Sequence, residues 1–176
     1  MTGLNLAECA ILWESSAPEE TVQMGQELGR LLRPGDVVAL CGDLGSGKTV
    51  LTRGIAEGLG CPGQEVHSPS FTLINEYRGR QDGGRPLRLA HVDLYRIQSE
   101  AEVPGLGWDE YVGGPYVTVV EWAERAPGFL PRDILRIALA MKDATRRLLC
   151  IQSTGPRSER LVREWLRTSG RDAVPG

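Results

Sequence analysis

Apolar and polar positions along the chain fall into short blocks that switch between a strand period and a helix period. Residues 9–14 carry a strand pattern, and Ser16 followed by Pro18, Glu19 and Glu20 marks a helix start. Val22, Met24, Leu28, Leu31 and Leu32 then supply one apolar face until Pro34-Gly35 ends the helix. Residues 37–41 form an apolar strand, followed by a helix predicted from Lys48 to about residue 60, where Cys61-Pro62-Gly63 breaks the chain. The stretch 66–77, with Phe71 and Leu73, predicts a strand entered from an exposed Ser68-Pro69-Ser70 turn, and 81–86 predicts a hairpin or loop.

Residues 87–95 read as a strand interrupted by Asp93, and 99–106 as a short helix. The β-branched strand 116–120 delivers Glu121 and Trp122 at its end. Two late strands, 134–141 and 148–151, flank a polar turn at 142–147 and predict an antiparallel hairpin. A last helix, 159–167, presents Leu161, Val162, Trp165 and Leu166 on one face, with Trp165 assigned to the core. Together these elements predict one domain over 1–168, with 169–176 a frayed or disordered tail.

Candidate chemistry begins at residues 42–49, GDLGSGKT, which fit the phosphate-binding pattern GxxxxGK[ST] between an apolar strand and a helix. Its glycines let consecutive backbone amides approach phosphate oxygens, and the helix that opens there adds unpaired N–H groups. Lys48 would neutralise the terminal phosphates and the Thr49 hydroxyl would be a magnesium ligand. The pattern gives nucleotide binding, not a reaction. Asp93 and Glu121 each follow an apolar strand, so in an open parallel sheet both can converge on the crevice beyond the strand ends. Asp93 reads as a magnesium-site carboxylate, or as a strand-end cap or salt-bridge partner; Glu121 reads as the same kind of carboxylate, or as an exposed acid paired with an arginine.

Composition narrows the class. The chain has 176 residues, 41% of them hydrophobic and 24% charged, which suits one sizeable core. No apolar run approaches the length needed to cross a membrane and the start lacks a secretory pattern, so a cytoplasmic location is expected. A net charge of −3 argues against gripping nucleic acid by broad electrostatics, leaving only a local arginine patch. Cys9, Cys41, Cys61 and Cys150 form no CxxC pair and are expected to be reduced, buried thiols rather than zinc ligands or disulfides; His67 and His91 show no metal-ligand spacing.

GDLGSGKT, SPSFTLINEY, HVDLYRI and VEWAER, in this order and spacing, resemble the TsaE family, the ATPase component of bacterial tRNA threonylcarbamoyladenosine biosynthesis. The resemblance spans nearly all of 18–149. It implies an α/β, P-loop NTPase-like three-layer sandwich with a mostly parallel central sheet and an antiparallel late hairpin. It also implies a magnesium-dependent ATPase that works with TsaD and TsaB, meets tRNA indirectly through that complex, and does not transfer the threonylcarbamoyl group itself.

Residue by residue, the resemblance implies nucleotide binding by Asp43, Leu44, Gly45, Ser46 and Gly47, by Lys48, Thr49 and Val50, and by Arg146. Lys48, Asp93 and Glu121 are the implied catalytic residues, and Thr49, Asp93 and Glu121 the implied magnesium ligands. Ser68, Ser70 and Thr72 would form a switch that senses the γ-phosphate, and residues 18–21 a further nucleotide contact. Many family members carry Thr where Ser70 stands and a second Thr where Val50 stands. A small P-loop kinase and a non-hydrolysing nucleotide sensor are the alternative functions. The absence of an NKxD signature disfavours a GTPase, and the absence of an LSGGQ-like segment an ABC ATPase.

Overall fold

The computed structural model describes residues 9–69 and 71–171, with Asp82 described by its backbone alone. Seven strands make one sheet: β1 Ile11–Ser15, β2 Val37–Cys41, β3 Ile74–Gln81, β4 Arg85–Asp93, β5 Tyr116–Glu121, β6 Leu135–Met141 and β7 Arg147–Ser153. Their order across the sheet is β1-β7-β6-β2-β5-β4-β3. The four central strands β6, β2, β5 and β4 run parallel. Antiparallel pairing occurs at both edges: the expected late hairpin of β6 with β7, and also β1 with β7 and β3 with β4.

Helices α1 Pro18–Leu31, α2 Lys48–Gly58 and α4 Pro156–Ser169 cover one face, and α3 Trp108–Tyr111 with short 3-10 turns covers the other. The long-helix face buries Met24, Leu28, Leu51, Ile55 and Trp165 against Leu40, Val119 and Ile137, and Trp165 is fully buried, edge-on to Trp13. Strand alternation sends every second side chain of β4 and β5 toward α2: Leu87, Leu89, His91 and Asp93 on one, Val117, Val119 and Glu121 on the other. This alternation aims the carboxylates at the start of α2. Among the described residues no helix is long and apolar enough to cross a membrane.

Three expectations need correction. The strand predicted at 66–77 begins only at Ile74; Leu73 is left-handed (φ 66°), its amide donates to the Pro69 carbonyl at 2.6 Å, and Phe71 is 85% exposed. A turn at Pro69 therefore delays the strand until the chain pairs with β4. The tail expected from Ser169 does not begin there: α4 includes Ser169, and Arg171 pairs with Glu27 and lies over the Trp13 ring; the rest of that expectation, 172–176, lies outside the described residues. Cys9 and Cys150 are joined as a disulfide rather than reduced. Pairing of β1 with β7 brings together residues 141 apart in sequence, a contact that no local spacing signals; Cys41 and Cys61 are free.

Candidate functional site

Strand β2 ends at Cys41 and the chain turns at once through Gly42, whose φ of 131° only glycine adopts readily. A Cβ there would lie 2.2 Å from the Leu139 carbonyl oxygen, so the tight seat of the loop against β6 also demands glycine. The loop ends at Gly47, left-handed at φ 104°, which caps α2 with no side-chain bond and leaves the first amides of the helix to face the cleft. Lys48 is buried: its Nζ donates to the Gly42 carbonyl at 2.7 Å and the Asp43 carbonyl at 2.9 Å, and stands 3.9 Å from the Trp122 ring centroid. Burial pulls its pKa below the ordinary lysine value, opposed by the negative charges of Glu121, Glu124, Asp93 and Asp43.

The two carboxylates predicted from strand ends are register partners, Asp93 on β4 beside Glu121 on β5. Both are almost fully buried, at 1% and 2% exposure, and neither is bare. Glu121 accepts from the Thr49 hydroxyl at 3.0 Å (Oε2), and at Oε1 from the Thr52 hydroxyl at 3.3 Å and from His91 Nε2 at 2.7 Å. A carboxylate partner fixes the His91 tautomer with the proton on Nε2. Asp93 accepts from the Ser68 hydroxyl at 2.5 Å and from the Tyr95 amide at 2.9 Å.

These groups share a cleft of about 320 Å³, lined by Leu44, Gly45, Gly47, Lys48, Thr49, Val50, Ser68, Asp93 and Glu121 together with Tyr95, Arg96 and Trp122. Asp43 and Ser46 belong to the loop but meet Lys48 from behind, and Ser46 is buried. Thr72 turns away to donate to Asn75 at 2.9 Å, and Ser70 lies outside the described residues. Arg146 is held in the β6–β7 turn by Asp143 and Glu14, whereas the next residue, Arg147, donates to the Gly45 carbonyl at 3.3 Å. In the stretch 18–21, Thr21 is buried and bonds the Ser15 hydroxyl at 2.7 Å.

Sequence reasoning missed His91, Thr52, Tyr95, Trp122, Glu124 and Arg147. For His91 a signal existed, because it sits two residues before Asp93 and so on the same strand face. Thr52 likewise follows Thr49 by one helical turn. Glu124 accepts from the Gly42 amide at 3.4 Å after a left-handed Trp122 (φ 58°), a bend that local sequence does not announce.

A glycine-rich loop between strand and helix, with acids at neighbouring strand ends, defines an α/β P-loop protein. Residues 15–149 match the family described as Threonylcarbamoyl adenosine biosynthesis protein TsaE, and the chain belongs to that family. It is 41% identical over 152 residues to the tRNA threonylcarbamoyladenosine biosynthesis protein TsaE of Bacillus subtilis (strain 168), spanning 86% of this chain and 91% of that one. It is 39% identical over 135 residues to the TsaE of Treponema pallidum (strain Nichols), spanning 76% and 95%. The crystal structure of Bacillus subtilis YdiB superposes with a TM-score of 0.72 at 36% identity, over 90% of this chain and 95% of that one.

Proposed function

We propose that this chain binds and hydrolyses ATP with magnesium, and serves threonylcarbamoyl modification of the adenosine next to the tRNA anticodon by acting on a TsaD–TsaB complex. The observation that carries the reading is the convergence of Thr49, Asp93 and Glu121, from three separate elements, on the mouth of the phosphate loop. A hydroxyl and two carboxylates are an all-oxygen donor set suited to magnesium. Three protein oxygens do not fill an octahedral shell, so an ion held here would take its remaining ligands from phosphate oxygens and water. When bound, the ion would neutralise charge on the phosphates.

The chain's own residues supply the rest. The loop amides and the start of α2 bind phosphate oxygens, and Lys48 has to exchange its two carbonyl partners for phosphate to do so. Thr52 and His91 hold Glu121 facing Thr49. Asp93, bonded to the Ser68 hydroxyl, ties the following switch segment to the site and can orient a water. The partner part of the reading is supported at the surface: Leu44, Phe71, Tyr95 and Met141 are exposed, and all border this cleft. Leu44 and Tyr95 line it, Phe71 stacks on its Arg96, and Met141 lies beside its Gly45. An apolar rim round a polar mouth suits a protein that closes over the nucleotide.

Phosphate release from magnesium ATP, measured alone and then with TsaD, TsaB and tRNA, tests the proposal. Release that rises with the partners is expected, and Lys48→Ala should lower it about 100-fold or more while leaving the circular dichroism spectrum unchanged. An active Lys48→Ala protein would overturn the reading. ATP binding without release in either condition would replace hydrolysis with nucleotide sensing.

A further inference from the structure

Helix α2 starts at the phosphate loop and, with 11 residues, ends about 16 Å away at a second and larger cleft. This cleft, about 380 Å³, is formed where the ends of α1 and α2 meet the tip of the β3–β4 hairpin, and Gln81 Nε2 ties the hairpin to the Leu32 carbonyl at 2.7 Å. Four exposed arginines line it: Arg30 and Arg33 from the end of α1, Arg80 and Arg85 from the hairpin. Arg33 donates to the Arg30 and Leu32 carbonyls and so serves the helix end. The Arg30, Arg80 and Arg85 side chains make no hydrogen bond or ion pair among the described residues. The one carboxylate among the described residues of the lining, Glu57, is held by Gln26 Nε2 at 2.7 Å.

Such a concentration of unneutralised charge stands out in a chain whose net charge is −3. Guanidinium groups match phosphate oxygens in a two-pronged geometry. Among the described residues the lining has no aromatic or aliphatic side chain, so these residues offer neither the apolar anchors of a protein interface nor a platform for stacking a base. What remains is recognition of a backbone of phosphates, which positions a nucleic acid without reading its sequence.

We propose that this arginine cleft binds the phosphodiester backbone of RNA; the inference rests on the proposed role in tRNA modification, which brings RNA to the protein. The cleft grips the RNA directly, at the end of α2 remote from the nucleotide, so both ligands bind at once.

The test is fluorescence anisotropy of a labelled anticodon stem-loop RNA with the full chain, at low and at physiological salt. The wild-type chain should bind with an affinity that falls as salt rises. R80E/R85E should weaken binding more than about tenfold and lower the salt slope by about two phosphate contacts, while R80K/R85K stays within about threefold. The control R132E/R163E, which changes net charge equally at exposed arginines elsewhere, should stay within about twofold. Phosphate release by R80E/R85E alone should equal wild type. Lys48→Ala should lose release and keep its RNA affinity, so failure of the ATPase reading and failure of this one show separately. Three results would overturn the proposal: no RNA binding at low salt, equal loss in the R132E/R163E control, or RNA displaced competitively by ATP. Retention of inorganic phosphate but not RNA would make the cleft a small-anion site instead.

Discussion

At the scale of single residues, Glu121 shows how a buried carboxylate is made tolerable. Taking it out of water is costly, and three donors, Thr49, Thr52 and His91, offset that cost. His91 has no exposed surface, and its Nδ1 finds no partner among the described residues, so its one polar contact is with Glu121. Replacing His91 by Leu should therefore lower stability by about 3 kcal/mol in urea unfolding. It should also raise the magnesium concentration for half-maximal phosphate release about tenfold or more, with the maximal rate largely kept. His91→Gln, which restores a donor, should recover most of the magnesium response; equal defects in both variants would make His91 a packing residue. The free thiols give a second prediction. Burial pushes Cys41 up to about 12, helped by the nearby Glu124 charge, and burial pushes Cys61 up to about 11. An unfolded thiol ionises near pH about 8.5, so between that value and about 11 the unfolded chain loses protons that the native chain retains. The contribution to stability is present in full below about pH 8.5 and is lost as pH rises above it. Urea titrations from pH 8 to 10, approximately, should show that decline, and Cys41→Ala/Cys61→Ala should flatten it.

At the scale of elements, α1 and α2 pack backbone against backbone because glycines face glycines. A Cβ on Gly54 would sit 2.1 Å from the Val22 carbonyl and 3.0 Å from the Gly25 Cα, and Gly58 meets Gln26 and Gly29 in the same way. Backbone cannot yield as a side-chain tip can, so the crossing closes only without side chains. Gly54→Ala gains about 1 kcal/mol of helix propensity and loses more to overpacking, a net destabilisation of about 2 kcal/mol in urea unfolding. A neutral or stabilising result would mean that the helices separate freely. This pairing was not legible in the sequence, where a glycine inside a helical pattern reads only as a weak point. The limits of 37–41 and the helix start at Lys48 were legible because an apolar run, a glycine loop and a helix period succeed one another without overlap. The convergence of Asp93 and Glu121 followed from strand polarity alone, and the structure places them as register partners. What escaped depended on distant chain: the delayed start of β3 is set by pairing with β4, and the seat of Arg147 over the loop by a hairpin a hundred residues away from it.

At the scale of the whole molecule, the sheet joins two regions with different duties. The carboxylate site lies on β4 and β5, while the Cys9–Cys150 bond ties the chain beside edge strand β1 to β7, at the opposite side of the strand order. Between β7 and β5 lie two strands, a separation of about 14 Å. Surface pairs also hold that edge, Glu14 with Lys142 at 2.5 Å and with Arg146 at 3.4 Å, but exposed pairs contribute little. The covalent link adds to the β1–β7 strand pairing and to the packing of Trp13 on Trp165, and closing so long a stretch of chain restricts the unfolded state by up to about 5 kcal/mol. Cys9→Ser/Cys150→Ser should lower the urea midpoint by an amount equivalent to about 2–4 kcal/mol and leave phosphate release largely unchanged, because Thr49 and Glu121 lie on α2 and β5, and the bond from β7 to the loop, Arg147 to the Gly45 carbonyl, is made at the hairpin end of that strand rather than at Cys150. Thiol titration of the denatured wild-type chain should count two groups without reductant and four after reduction, the first two being Cys41 and Cys61. Four thiols in the unreduced, denatured chain would show that the edge is held by strand pairing alone, and the double serine variant would then be as stable as wild type.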